Sequence, residues 1–174
     1  MNLNKVAELN IIVSTMLITP HTLVGIALGT TIQNPAIAVP LAFVMHFLGD
    51  LVPHWDFFSH TDREQRLRGW RPIAVMADLS LAIALGMFFV LYALWVVKST
   101  DMAVNIFLCA VASVLPDALE APHIYMSPDK EPKITKLIYF FQHKMQFQAP
   151  LPWGIISQLG VMIFCLLLIL SSIK

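Results

Sequence analysis

Met45-His-Phe-Leu-Gly-Asp-Leu-Val-Pro-His-Trp-Asp56 runs an apolar helix into Gly49-Asp50 and closes it on Pro53-His54. Ala112-Ser-Val-Leu-Pro-Asp-Ala-Leu-Glu-Ala-Pro-His123 repeats the plan with Pro116-Asp117 and Pro122-His123. Imidazoles and carboxylates are thus brought twice to the end of an apolar segment. His46 and Asp50 stand four residues apart, so on a helix they project from one face. An ionisable group near the middle of a membrane costs at least about 2.5 kcal/mol. A metal accepting imidazole nitrogen and carboxylate oxygen would justify that cost, with zinc the leading choice and manganese or iron behind it.

Working outward, the 174 residues are 57% hydrophobic and 13% charged, against roughly 25% charged in a soluble domain. The chain reads as a single membrane domain, and its formal net charge of zero gives no reason to expect a nucleic-acid partner. Cys109 and Cys165 lie inside apolar runs and point to neither a disulfide framework nor a zinc knuckle.

A spanning helix needs about 20 apolar residues. Segments 73–97, 102–119 and 153–173 meet or approach that length, and a shorter one covers 35–52. Thr19-Pro20 has the form of an N-cap followed by proline at the first helical position. A short helix over 20–32 is therefore expected, stopped at Asn34-Pro35, with residues 1–18 forming a separate apolar segment at the membrane. The expected fold is an all-α polytopic bundle of four to five membrane helices with an internal duplication: a first repeat over 19–56, a second over 73–123, then a basic loop and C-terminal membrane helix over 124–174. The duplication is also signalled by His21-Thr-Leu-Val-Gly-Ile-Ala-Leu-Gly29 beside Asp78-Leu-Ser-Leu-Ala-Ile-Ala-Leu-Gly86.

The loop with Arg63, Arg66, Arg68 and Arg71 and the loop with Lys130, Lys133, Lys136 and Lys144 are separated by two spanning segments, so they share one side. The positive-inside rule makes that side cytoplasmic. His21, Asp50, His54, Asp78, Asp117, Glu120 and His123 fall at helix ends on it. All of these but Glu120, together with His46, form the expected metal-ligand set: His21, His46, Asp50, His54, Asp78, Asp117 and His123, with room for two or more ions. A proton relay or a structural polar network would use the same residue types. Trp55, Trp70, Trp95 and Trp153 flank apolar runs, as an interfacial aromatic belt does.

Thr19-Pro-His21 followed by Gly49-Asp-Leu-Val-Pro53-His-Trp-Asp56 resembles the bacterial and archaeal membrane-bound metal-dependent hydrolases described as LexA-regulated. Their pattern has an early histidine, a Leu-Leu-Pro-Asp-x-Asp element and a later histidine element, which His143-Lys-Met resembles. More distantly, His46-x-x-Gly-Asp50 is similar to the His-x-x-Gly-Asp helix of zinc-dependent phospholipase C and nuclease P1. The chain departs from the family's pattern at His54, which stands where the family has aspartate after proline, and at Glu120, which replaces a final aspartate.

The resemblance implies a hydrolase in the cytoplasmic membrane of a prokaryote that cleaves a phosphoester, with membrane lipid or a lipid-linked molecule as substrate. Two ions could activate water and hold both the attacking and the leaving oxygen. Glu120 or Asp56 would orient or deprotonate that water. Arg68, Arg71 and His143 are the expected substrate contacts, although the arginines serve equally well as cations that set topology. The rival reading is a non-catalytic metal-binding membrane protein, either an ion carrier or a structural module. Ionisable residues do not continue across segments such as 79–97, which weighs against a carrier.

Overall fold

The computed structural model describes residues 17–58, 61, 63–126, 130 and 132–173, so the expected segment 1–18 lies almost wholly outside the described residues. The elements are α1 (Ile18–Thr31), α2 (Pro35–Asp50), α3 (Arg63–Arg66), α4 (Arg71–Trp95), α5 (Thr100–Tyr125), α6 (Lys133–Met145) and α7 (Trp153–Ser172). Among the described residues, three helices are long and apolar enough to cross a membrane: Arg71–Trp95, Thr100–His123 and Trp153–Ser172. They mark an all-α membrane protein. At 1.5 Å per residue, α1 with 14 residues extends about 21 Å and α2 with 16 about 24 Å, both short of a hydrocarbon core of about 30 Å.

Three boundaries differ from expectation for local reasons. Helix α1 begins at Ile18, and Thr19 does not cap it; the Asp78 carboxylate does so from α4, accepting from Ile18 N at 2.6 Å and Thr19 N at 3.3 Å. Helix α5 runs on to Tyr125 through Pro116 and Pro122, so Asp117 and Glu120 sit within a helix instead of closing one, while His123 falls in its last turn. Within the expected basic loop lies α6, which buries Thr135 and Gln142 seven residues apart, two helical turns on one face. Its other side exposes Ile134, Leu137, Phe140 and Phe141 among Lys133, Lys136 and Lys144, the composition of a helix lying in a membrane interface. Asn34 caps α2 as its sequence position suggests, accepting from Ala36 N at 3.0 Å.

Helix α5 is the shared wall. Gly25 and Gly29 let α1 approach it backbone to backbone: a Cβ at Gly25 would stand 2.5 Å from Cys109 O, and one at Gly29 2.7 Å from Ile106 Cα. Such small-residue contacts hold helices together in lipid, where apolar burial alone gives little drive. Ala38 and Ala42 do the same for α2 against Cys109 and Ala112. On three helices a ridge therefore repeats at four-residue spacing: His21-Gly25-Gly29 on α1, Ala38-Ala42-His46-Asp50 on α2, and Asn105-Cys109-Ser113-Asp117 on α5. Small residues occupy one end of each ridge and metal-ligand types the other.

The described residues of segments 51–70 and 126–152 lie on one side of the bundle. They are laced together by His54 N→Phe147 O (3.0 Å), Phe147 N→Asp50 O (2.9 Å) and Ala149 N→His54 O (2.8 Å). Gly154 at the start of α7 receives this loop, since a Cβ there would meet Trp55 N at 2.6 Å. Trp70 and Trp153 are exposed on this side and Trp95 on the other.

Candidate metal centre

Three helices, α1, α2 and α5, bring the ligand types together at the loop side. The His21 and His46 rings stack with centroids 4.0 Å apart. Gly49 leaves space for the contact, since a Cβ there would come within 3.2 Å of His21 Cε1. Asp50 Oδ1 lies 3.2 Å from His21 Nε2, Asp50 Oδ2 lies 3.7 Å from His46 Nε2, and Asp117 Oδ1 lies 3.6 Å from the same nitrogen. Atoms about 2.0–2.1 Å from a tetrahedral zinc stand about 3.3 Å from one another, so these separations suit shared ligation. One ligand atom each from His21, His46 and Asp117 lies within 4.8 Å of the others, and this buried group could hold a metal ion.

The protonation pattern fits as well. His46 Nδ1 is 2.7 Å from Ser113 O. A carbonyl can only accept, so Nδ1 carries the proton and Nε2 presents its lone pair to the cluster, which is how a metal-binding imidazole is usually oriented. Pro116 contributes locally, because it lacks the N–H that would bond to Ala112 O and loosens the helix one residue from Ser113. His54 repeats the device: its Nδ1 donates to Val52 O at 2.9 Å, and its buried Nε2 has no hydrogen-bond partner.

The chemistry of the remaining atoms is informative. His21 Nε2, both Asp50 oxygens, His54 Nε2, Asp117 Oδ2 and Glu120 Oε2 are buried without a hydrogen-bond partner. Buried polar atoms nearly always find one, and carboxylates that do not are costly unless a cation serves them. Gln142 of α6 shows where a cation fits: its Nε2 lies 3.0 Å from both His46 Nε2 and Asp117 Oδ1 and stands in for the positive group those two atoms would share.

Other expected residues fall elsewhere. Asp78, expected as a ligand, accepts from Ile18 N, Thr19 N and Thr19 Oγ1, so its carboxylate anchors α1. His123, also expected as a ligand, stacks on Tyr139 at 3.9 Å; His143, expected at the substrate, lies on the same tyrosine at 5.7 Å and is exposed. Arg68 pairs at the surface with Glu64 at 2.7 Å, and Arg71 donates to Phe57 O at 3.0 Å. Asp56 is buried and accepts from Phe58 N, close enough to Asp50 and Glu120 to act on them electrostatically.

Three contributors were not singled out from sequence. Ser113 works through its backbone and leaves no side-chain signal. Gln142 could have been found from the spacing of Thr135 and Gln142 on an amphipathic helix. Arg66 is a buried arginine, held by Nη2→Thr61 O at 2.8 Å and acting electrostatically on Glu120, whereas Arg68 is exposed and Arg71 is half-buried. Comparison of the chain with protein-family models, with curated proteins and with solved structures finds no match in any of the three.

Proposed function

We propose that this protein is a membrane-embedded metal-dependent hydrolase that cleaves a phosphoester of a lipid or lipid-linked molecule at the cytoplasmic face of a prokaryotic membrane. One observation carries the metal centre: six buried atoms of His21, Asp50, His54, Asp117 and Glu120 without hydrogen-bond partners, gathered around a His46 whose Nε2 is fixed as an acceptor. His21, His46, Asp50 and Asp117 are the ligands, with His54 completing the set, and zinc suits them best. A divalent ion there supplies Lewis acidity and makes water a better nucleophile. Glu120 or Asp56 takes the proton from water as its oxygen adds to phosphorus. The P–O bond to the lipid alcohol then breaks, and the proton passes to the departing oxygen. Arg66 offers the nearest buried positive charge for the phosphoryl oxygens.

Helices α1 and α2 lie at membrane depth beside the three spans, and the hairpins α1–α2 and α4–α5 descend from a duplicated unit.

A second reading is favoured by a specific observation. His21, His46, Asp50 and Glu120 are at most 1% exposed, and a sealed site is what a structural metal requires. Elemental mass spectrometry on detergent-purified protein comes first. At least one equivalent of zinc or manganese, lost in a His21→Ala, Asp50→Asn double variant, is the expected result, and a metal-free wild type overturns both readings. Asp117→Asn then separates them: an enzyme loses phosphoester turnover and stays folded, whereas a structural centre loses its resistance to detergent unfolding with its metal.

A further inference from the structure

An apolar groove of about 150 Å³ runs along the outside of the bundle between α1, α4 and α5. Ile83 and Met87 of α4 and Phe107 and Val111 of α5 line it and are 45–57% exposed on helices that span the membrane, so lipid is what faces them. The groove follows α4 from Leu79 to Val90, eleven residue steps. At 1.5 Å per residue that is about 16 Å, about half the thickness of a hydrocarbon core of about 30 Å, centred on the middle of the span. Gly86 forms the notch at mid-length, where a Cβ would meet nothing nearer than Thr22 Cγ2 at 3.9 Å.

The loop-side end of the groove continues into polar surroundings. Ile18 lines both the groove and a small adjoining pocket formed with Asp56, Phe58, Val75 and Asp78. Asp56 is the residue of that pocket that acts electrostatically on Asp50 and Glu120 of the cluster. Groove and pocket adjoin at Ile18, beside the start of α1, and together mark a track toward the side of the cluster on which Asp56 acts. Lipid chains fill such a groove because an unfilled one forfeits dispersion contacts on its whole lining.

We infer that the groove between α1, α4 and α5 holds one acyl chain of a bilayer glycerophospholipid and so presents that lipid's phosphoester to the metal centre beside Asp56. The inference rests on the hydrolase reading for its catalytic half and on the groove alone for its binding half. It accounts for access to a sealed cluster: the substrate arrives from the side, within the leaflet, and its headgroup meets the ligands at the end of the track.

The test uses the full chain in vesicles of phosphatidylethanolamine and phosphatidylglycerol, with a phosphatidylglycerol carrying a diazirine midway along one acyl chain. Cross-links are expected to concentrate on Ile83, Met87, Phe107 and Val111 over Ile163, Phe164 and Leu167 of α7, which are exposed to lipid without a groove. Gly86→Leu fills the notch and is expected to lower groove labelling by at least about tenfold, the scale on which filling an apolar pocket discriminates, while metal content is unchanged. Gly86→Ala gives a graded, milder loss if the leucine variant folds poorly, and Gly160→Leu on α7 has no effect. Uniform labelling of α4, α5 and α7, or full labelling in Gly86→Leu, overturns the groove and leaves the metal centre standing. Groove labelling in a protein without metal supports the binding half and overturns the hydrolase reading.

Discussion

The two ends of the same ridges treat buried polarity in opposite ways. At the far end Asn105 is buried, and its amide donates to Gly29 O at 3.0 Å and Ile32 O at 2.6 Å, closing the C-terminus of α1. Twelve residues along α5, Asp117 keeps one oxygen buried without a hydrogen-bond partner, and across from it both oxygens of Asp50 are in the same condition. Helix type, spacing and packing partner are shared. The far end is satisfied within the protein; the loop end keeps buried ligand atoms that could hold a metal ion.

The sharpest way to break that contrast is to remove His46. His46→Ala deletes an imidazole whose Nε2 is fixed as an acceptor by the bond from Nδ1 to Ser113 O and which lies against both Asp50 and Asp117. Metal stoichiometry measured by elemental analysis should fall to zero, with any phosphoester turnover down by at least about a hundredfold, well beyond the 10–100-fold loss from disturbing an outer partner of a ligand. Metal retained in this variant would place the centre elsewhere.

At the packing end, Gly25→Ala forces a methyl group to within 2.5 Å of Cys109 O and Ser113 Oγ. It should cost about 1–3 kcal/mol by overpacking, seen as a lower midpoint of unfolding in detergent. Gly160→Ala, with nothing within 4 Å, should be neutral or slightly stabilising. Equal behaviour of the two variants would remove the close approach of α1 to α5.

Asn105→Ala and Asp50→Asn, compared with and without chelator, sharpen the difference in kind. Asn105→Ala leaves two carbonyls unpaired and should cost about 1–3 kcal/mol whether or not metal is present. Asp50→Asn removes the charge of a buried carboxylate whose oxygens stand 3.2 and 3.7 Å from the His21 and His46 nitrogens without a hydrogen bond, so the chelated variant should be as stable as chelated wild type or more so, while no longer gaining from added metal. Wild type saturated at a hundred times the dissociation constant gains about 2.7 kcal/mol. Destabilisation of the chelated Asp50→Asn protein would show that its carboxylate has a protein partner after all.

The smallest effect expected is at Gln142. Gln142→Ala withdraws the amide that lies against His46 and Asp117 and should leave metal stoichiometry unchanged while metal exchanges faster with a chelator. A large loss of bound metal would instead make Gln142 an essential support.

Much of this was legible in the chain, because hydrophobic length and loop charge act locally: the three spans and the shared side of the two basic loops follow from residue order alone. The pairing of His46 with Asp50 also follows, since four-residue spacing fixes a common helix face. The same spacing in His21-Gly25-Gly29 and Asn105-Cys109-Ser113-Asp117 held a further signal, visible once the ridges are set side by side. Asp78 could not be assigned from sequence, because a carboxylate that caps another helix has the same local surroundings as one that binds a metal; only the arrival of the α1 N-terminus at Asp78, 60 positions away in the chain, decided it. Tertiary structure likewise turned Ser113 O toward His46, brought Gln142 from a presumed loop into the cluster and left Arg68 and Arg71 outside. These outcomes depend on backbone atoms and on the angle at which helices meet, and neither is written in the identity of a single residue.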